Sequence, residues 1–287
     1  MNAESSSFLT RNEFLIRRLH SLSGLIPVGA YMCVHLLTNA SILNGFPSKP
    51  ENGYATFQNA VFNIHKLGAA LPIIEWVFIF IPILFHAILG VVIIRGGLPN
   101  SGKYRYGSNY RYTLQRATGM IAFVFIMWHV FHMHGWFHAD VWVENVAEPL
   151  AGAQFRPYNA ASTGGEAMQA SIVVPILYSI GMLSCVFHLA NGLWTMGITW
   201  GVWITPEAQR RANYVCGAFG ILLAIVGMSA VVGFENVDVE QARKTEDEMR
   251  EIQVKAGLIS DDPHKTADGE HDEEKQSKVS VRVGSKD

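Results

Sequence analysis

Five long apolar stretches, separated by polar segments, dominate the pattern of this 287-residue chain. A helix needs about 20 apolar residues to cross the hydrocarbon core of a bilayer, and each stretch is long enough. Lipid offers no partners to backbone polar groups, so a crossing segment must be helical. The predicted spans are residues 21–43, 71–94, 113–138, 171–203 and 213–234. The pattern therefore predicts an all-α fold, an integral membrane bundle of five transmembrane helices.

Charge divides the chain into a membrane domain, residues 1–235, and a polar tail, residues 236–287. The tail holds 14 of the 24 acidic and 9 of the 22 basic residues. The net charge of −2 is therefore a cancellation, and it indicates no nucleic-acid partner. The tail's composition predicts a helix at Val239–Val254, followed by partial disorder. The long loop 139–170 is typical of a cap or a functional surface.

Basic residues predict the orientation of the helices. With the N-terminus inside, ten lysines and arginines of the membrane domain fall on inner segments and three on outer loops. This asymmetry follows the positive-inside rule, and it predicts a cytoplasmic N-terminus and an outer C-terminal tail. The first apolar stretch is too long for the core of a signal peptide, so we expect it to remain as an anchor.

Four histidines lie inside four different apolar stretches: His35, His86, His129 and His188. An ionisable side chain inside a membrane segment is costly and usually marks a functional site. His35 and His129 lie 9 and 11 residues from the outer ends of their helices, at Asn44 and Asp140.

The other two histidines lie deeper. His86 and His188 are 15 and 17 residues from Leu71 and Ser171, the outer ends of their helices. Six residues of helix correspond to about 9 Å, so the histidines form an outer pair, His35 with His129, and an inner pair, His86 with His188. Haem iron accepts two axial imidazoles from facing helices, so the count and depths predict two stacked haems.

Small residues accompany these histidines. Gly90 and Gly192 each follow a histidine by four residues and so lie on the same helix face, where a flat macrocycle could approach. Gly24 and Gly119 precede His35 and His129 by about three turns. The three cysteines lie singly and form no CxxCH motif, so a haem would be b-type, held by coordination and packing alone.

Two alternatives use the same histidines differently. Each could be a hydrogen-bonded polar residue between helices, or a pair could bind zinc, although no second soft ligand lies near either pair. Three further histidines, His132, His134 and His138, crowd the outer end of the third stretch. They could tune or replace a haem ligand, although we expect solvated side chains at the membrane interface.

Several motifs within residues 11–234 together resemble a known family. They are Arg17-Arg18-Leu-His20-Ser-Leu-Ser-Gly24, Val34-His35-Leu36, Phe85-His86, Leu114-Gln-Arg-Ala-Thr-Gly119, Trp128-His129-Val130 and Phe187-His188-Leu-Ala-Asn-Gly-Leu-Trp194. In combination they resemble the single-chain dihaem cytochrome b subunit of succinate dehydrogenase and fumarate reductase. The family's four axial histidines fall on the four positions above, with the same pairing.

The resemblance implies a membrane anchor of a succinate:quinone oxidoreductase that carries electrons between a cytoplasmic iron–sulfur subunit and menaquinone. It implies two b haems, a flavoprotein partner that performs the dicarboxylate chemistry, and a multi-pass location in the bacterial cytoplasmic membrane. A dihaem subunit of a hydrogenase or formate dehydrogenase, or a haem-free anchor, is the competing interpretation.

Further residues are candidates for contacts with the cofactors. Arg17, Arg18, His20 and Arg116 lie near the inner surface, where they could pair with haem propionates, set topology or dock the partner. Glu75 lies four residues inside Leu71 and eleven before His86, on the same helix face. Quinone reduction needs proton exchange, so Glu75 is the candidate acid/base group beside the outer haem.

Overall fold

The computed structural model describes residues 11–95, 102, 106–137 and 139–267. Within these residues helices are the only regular secondary structure, and five of them are long and apolar enough to cross a membrane, as predicted. These five are α1 (Glu13–Leu43), α3 (Ala70–Arg95), α4 (Gly107–His134), α6 (Val173–Thr199) and α7 (Pro206–Glu235). Three polar helices connect or follow them: α2 (Glu51–His65), α5 (Ala160–Gln169) and α8 (Val239–Lys255).

Large apolar side chains remain exposed on the long helices, as lipid-facing positions require. On α3, for example, Ile73, Phe78 and Ile88 are each at least 60% exposed. In a soluble protein such a surface would be an association or aggregation site, whereas in a bilayer it faces hydrocarbon. Five spans of this kind make the chain a multi-pass membrane protein.

Two π-helical turns interrupt the long helices. Gly24–Gly29 in α1 contains Pro27, and Trp76–Phe80 in α3 directly precedes Ile81 and Pro82. Proline has no N–H to donate and crowds the preceding turn, and a wider turn accommodates both effects. Each π turn ends six residues before a histidine of interest, His35 or His86, and so changes the face on which that histidine lies.

Contacts among the described residues group the chain into two compact units. The first comprises residues up to Leu37, Pro72–Ile126 and Ser179–Gly227; it contains His35, His86 and His188. The second comprises Thr38–Leu71, Met127–Tyr178 and the residues from Met228 onward.

In the second unit the three polar helices pack on one another. Gln58 of α2 is fully buried; its amide donates to the carbonyl of Pro157 (2.8 Å) and accepts from the N–H of Ala160 (2.8 Å). The hydroxyl of Tyr54 accepts from the N–H of Asp238 (3.0 Å), just before α8 begins. The predicted helix of the tail therefore exists, and it is packed into this unit.

Glu246 of α8 forms hydrogen bonds with the first turn of α5. Its carboxylate is fully buried and accepts hydrogen bonds from the N–H groups of Ala161 and Ser162 and from the Ser162 hydroxyl (2.6 Å). These are unpaired donors of the first turn of α5, which any helix must satisfy. Arg243 also contacts Ser162 (3.0 Å) and pairs with Glu166 (3.0 Å).

Burial makes the stability of this contact depend on pH. Loss of hydration raises the pKa of Glu246 from 4.5 to about 7, although its hydrogen bonds act in the opposite direction. An acid with a raised folded-state pKa favours the folded state most when protonated. Its contribution is thus fully present below about pH 4.5 and is lost as pH rises through 7, by about 3 kcal/mol in all.

We expect hydrogen-exchange protection of the α5 amides, corrected for intrinsic rates, to fall between pH 5 and pH 8. Glu246→Gln, which cannot titrate, should remove most of that slope while keeping acceptor and donor capacity. An equal slope in both proteins would show that another group is responsible.

Candidate functional site

His86 of α3 and His188 of α6 lie together in the first unit. Their ring centroids are 6.0 Å apart and their planes are nearly perpendicular, at 84°. Two imidazoles on opposite sides of one metal ion, with bonds of about 2 Å, have ring centres roughly 6 Å apart. The observed spacing therefore fits two axial ligands of one iron.

Main-chain carbonyls orient both rings. His86 Nδ1 donates to the carbonyl of His20 (2.8 Å), and His188 Nδ1 donates to that of Gln115 (3.0 Å). A carbonyl only accepts, so each Nδ1 carries the proton and each Nε2 keeps its lone pair. Histidines that ligate metals are commonly fixed in this tautomer by such a second hydrogen bond.

Two glycines make room for these rings. A Cβ on Gly119 would lie 2.7 Å from His188 Cε1, and one on Gly24 would collide with the ring of His86. The sequence associated these glycines with His129 and His35 of their own helices. The structure instead places them against histidines of facing helices.

The two rings line a cavity of about 970 Å³ within the first unit. Pockets for cofactors and drug-sized ligands commonly lie between 300 and 1,000 Å³. Gly90 and Gly192 are on its wall, as are the basic side chains Arg17, His20, Arg111 and Arg116. Apolar residues such as Val28, Ile94, Phe123 and Leu189 form much of the remainder.

The predicted inner cations have distinct surroundings. The ring of His20 stacks on His86, with centroids 4.0 Å apart and an angle of 11°, and its Nε2 is buried without a hydrogen-bond partner among the described residues. Arg17 pairs with Glu13 (2.7 Å), and Arg116 lies 3.9 Å over the ring of Tyr112. Arg18 donates to the carbonyl of Thr199 (3.3 Å) and packs over Phe14 and Trp200.

A second group in the first unit surrounds His35. Tyr31, one helical turn earlier, stacks on its ring at 5.5 Å and 25°. Glu75 of α3 is close enough to Tyr31 to interact electrostatically with it. The structure therefore brings the predicted acid/base residue into the neighbourhood of a predicted outer ligand.

In the second unit, Tyr178 links two histidines. Its hydroxyl lies 3.2 Å from His129 Nδ1 and 2.9 Å from His132 Nδ1. His132 is only 4% exposed and is stacked against Trp128, with ring centroids 5.0 Å apart. The expectation of a solvated His132 is therefore wrong, because Tyr178 supplies a polar partner inside the protein. His138 lies outside the described residues.

The pairing of His35 with His129 stays a prediction. Among the described residues, no group of three or more His, Cys, Asp or Glu side chains is placed to hold a metal ion. A haem requires only two axial ligands from the protein, because its own ring supplies the others.

Sequence reasoning missed several polar residues around these histidines. They are Arg111, Gln115, Tyr178 and Asn191. Their signal was polarity within apolar helices, which usually indicates function or helix–helix hydrogen bonding. Nothing in the sequence showed which partner each would contact.

Comparison with known proteins adds independent information. The chain is similar to the succinate dehydrogenase cytochrome b558 subunit of Bacillus subtilis (strain 168), with 33% identity over 222 residues. The similarity covers 77% of this chain and 97% of the relative. No protein-family model matches the chain.

Proposed function

Because the chain belongs to the family of succinate dehydrogenase cytochrome b subunits, we propose that it carries electrons between an iron–sulfur subunit and menaquinone in the membrane. The chain itself is a membrane subunit of an enzyme complex. Dicarboxylate chemistry belongs to the flavoprotein partner, and this subunit provides the anchor and the route to quinone.

Family membership implies haem b, and we propose two such groups per chain. His86 and His188 would hold the inner one, and His35 and His129 the outer one. When bound, bis-histidine haem accepts and releases single electrons. The main support for the proposal is the pair of imidazoles whose centroids lie 6.0 Å apart. In each ring, Nδ1 is hydrogen-bonded to a main-chain carbonyl, which leaves Nε2 available as a ligand.

The other lining residues complete the inner site. Apolar side chains exclude water, and Gly24 and Gly119 allow the facing rings to approach closely. Arg17, His20 and Arg116 can donate to carboxylate groups, which matches the two propionates of haem b. Within the part of the chain that the structure describes, the buried Nε2 of His20 has no partner. This supports the role, since a buried polar atom without a partner is costly.

Glu75 is the proposed proton-exchanging group at the quinone site. Its carboxyl lies near Tyr31, which stacks on His35, so protons could be exchanged beside the outer ligand. A quinone that takes up two electrons also takes up two protons, which requires such a group.

The proposed orientation places the N-terminus in the cytoplasm and α8 outside. Glu207, at the inner end of α7, and Glu251, on α8, are equally exposed, with 65% of each side chain accessible. In intact cells, an impermeant maleimide should label a cysteine at position 251 and spare one at 207. The reverse pattern would invert the orientation.

Purification of the tagged subunit from mild detergent tests the function. We expect a flavoprotein and an iron–sulfur protein to co-purify, with succinate–quinone activity and a b-type absorption spectrum. A hydrogenase or formate dehydrogenase partner, or a colourless protein, would refute the proposal.

A further inference from the structure

Gln115 of α4 contacts His188 twice. Its main-chain carbonyl accepts from His188 Nδ1 (3.0 Å), and its side-chain Nε2 donates to the main-chain carbonyl of His188 (3.1 Å). The two contacts fix both the ring and the backbone of the same residue. The position of His188 therefore depends on how Gln115 itself is held.

Asn191, one turn beyond His188, holds the side chain of Gln115. Its Nδ2 donates to Gln115 Oε1 (2.8 Å), which leaves its own Oδ1 to accept from Arg111 Nε (3.0 Å) and Nη2 (2.6 Å). Asn191 is only 6% exposed. Because the side chain is buried from water, both its N–H group and its carbonyl oxygen need protein partners, and Gln115 and Arg111 provide them.

Arg111 is fixed in turn. Its Nη1 donates to Asn213 Oδ1 of α7 (2.9 Å), and its guanidinium lies 4.1 Å over the ring of Trp194. The guanidinium thus contacts α6 and α7 while its own backbone belongs to α4. These contacts hold one cation in a defined position, three hydrogen-bonded steps from His188.

The hydrogen bonds donated by the side chains of Arg111, Asn191 and Gln115 run in one direction. Arg111 donates to the Asn191 side chain, Asn191 donates to the Gln115 side chain, and Gln115 donates to the main-chain carbonyl of His188. Hydrogen bonds aligned in a low-dielectric region polarise one another. The positive charge of Arg111 is therefore felt at His188 both directly and through the intervening amides.

We propose that Arg111, acting through Asn191 and Gln115, is a positioning group that fixes the orientation of His188 and raises the reduction potential of the haem it holds. This inference rests on the proposed function, in which His188 is an axial ligand. A nearby positive charge disfavours the ferric form, which carries one more positive charge than the ferrous form.

The test compares four variants, Arg111→Gln, Arg111→Lys, Gln115→Leu and Arg210→Gln, in the purified complex. The measurements are redox titration and low-temperature electron paramagnetic resonance of the ferric haems. Arg111→Gln removes the charge. Gln115→Leu removes the side-chain contacts but keeps the main-chain carbonyl that accepts from His188. Arg210→Gln is the control, since it removes an exposed arginine, with 67% of its side chain accessible, from the start of α7.

We expect all four variants to keep two haems. Arg111→Gln should lower the reduction potential of the inner haem alone, and Gln115→Leu should shift the g values of the inner haem. In a protein that carries both substitutions, the two effects should not be additive. Arg111→Lys should recover much of the potential because it keeps the charge. Arg210→Gln should change neither property.

Unchanged inner potential and g values in Arg111→Gln and Gln115→Leu, with haem retained, would overturn the inference. If Arg111→Gln loses haem, the result for Arg111→Lys is used instead. An unchanged inner-haem potential in Arg111→Lys supports the inference. Loss of haem in Arg111→Lys as well would show that Arg111 is needed only for folding, and it would overturn the inference. Absence of haem from the unaltered protein would instead refute the proposed function.

Discussion

Replacing His188 by alanine is expected to lower the haem content of the purified subunit from two per polypeptide to one. The substitution removes the Nε2 ligand and leaves a cavity where the ring packed against Gly119. With only His86 left as a ligand, a site shaped for two imidazoles should retain a b-type haem poorly, because such a haem has no covalent attachment. Pyridine haemochrome absorbance against protein concentration measures the ratio. His264→Ala, at an exposed position in the segment after α8, is the control.

Two separate glycine substitutions test the same site without removing a ligand. Gly119→Ala places a Cβ 2.7 Å from His188 Cε1 and should displace the ring from the Gln115 carbonyl, which shifts the inner haem signal or lowers its occupancy. Gly217→Ala is matched, because a Cβ there meets nothing within 4 Å among the described residues. Two haems with native spectra in both His188→Ala and Gly119→Ala would show that His188 is not a ligand.

Replacing Glu75 by glutamine is expected to lower succinate–quinone turnover by about 100-fold or more, the scale of a lost general acid/base. The amide preserves size and polarity but cannot exchange a proton at the same site. Haem content and succinate oxidation with a one-electron dye should remain, because neither requires the proton. Tyr31→Phe should lower quinone turnover less, because Tyr31 lies near Glu75 and stacks on His35.

Glu144→Gln is a suitable control for Glu75→Gln. Glu144 is an exposed glutamate in a π-helical turn of the segment that follows α4. If both variants retain full quinone turnover, Glu75 is not the proton-exchanging group and the quinone site must use another acid.

The long-range pattern of the sequence was sufficient for the five spans and for grouping His86 with His188, whose ring centroids lie 6.0 Å apart. Hydrophobic length fixes a transmembrane helix, and position along it gives depth, so the inner histidines His86 and His188 could be grouped by counting residues alone. The same argument could not show which helices face one another. For that reason the partners of Gly24 and Gly119 emerged only from the three-dimensional fold.

Polar contacts between side chains were the feature of the structure that was hardest to predict from the sequence. Tyr178 accounts for the burial of His132, yet the two are 46 residues apart on different helices. The fastening of α5 by Glu246 likewise joins residues 84 apart, from a segment whose composition is typical of a solvated helix. Such pairs depend on tertiary packing, which local composition does not encode.

A redox titration of the unaltered, purified complex, followed by haem absorption and electron paramagnetic resonance, shows directly how many haems the subunit holds and how they are ligated. We expect two low-spin bis-histidine b haems with separate midpoint potentials, one of which disappears in His188→Ala. A single haem, or two haems that both survive that substitution with unchanged potentials and g values, would contradict this expectation.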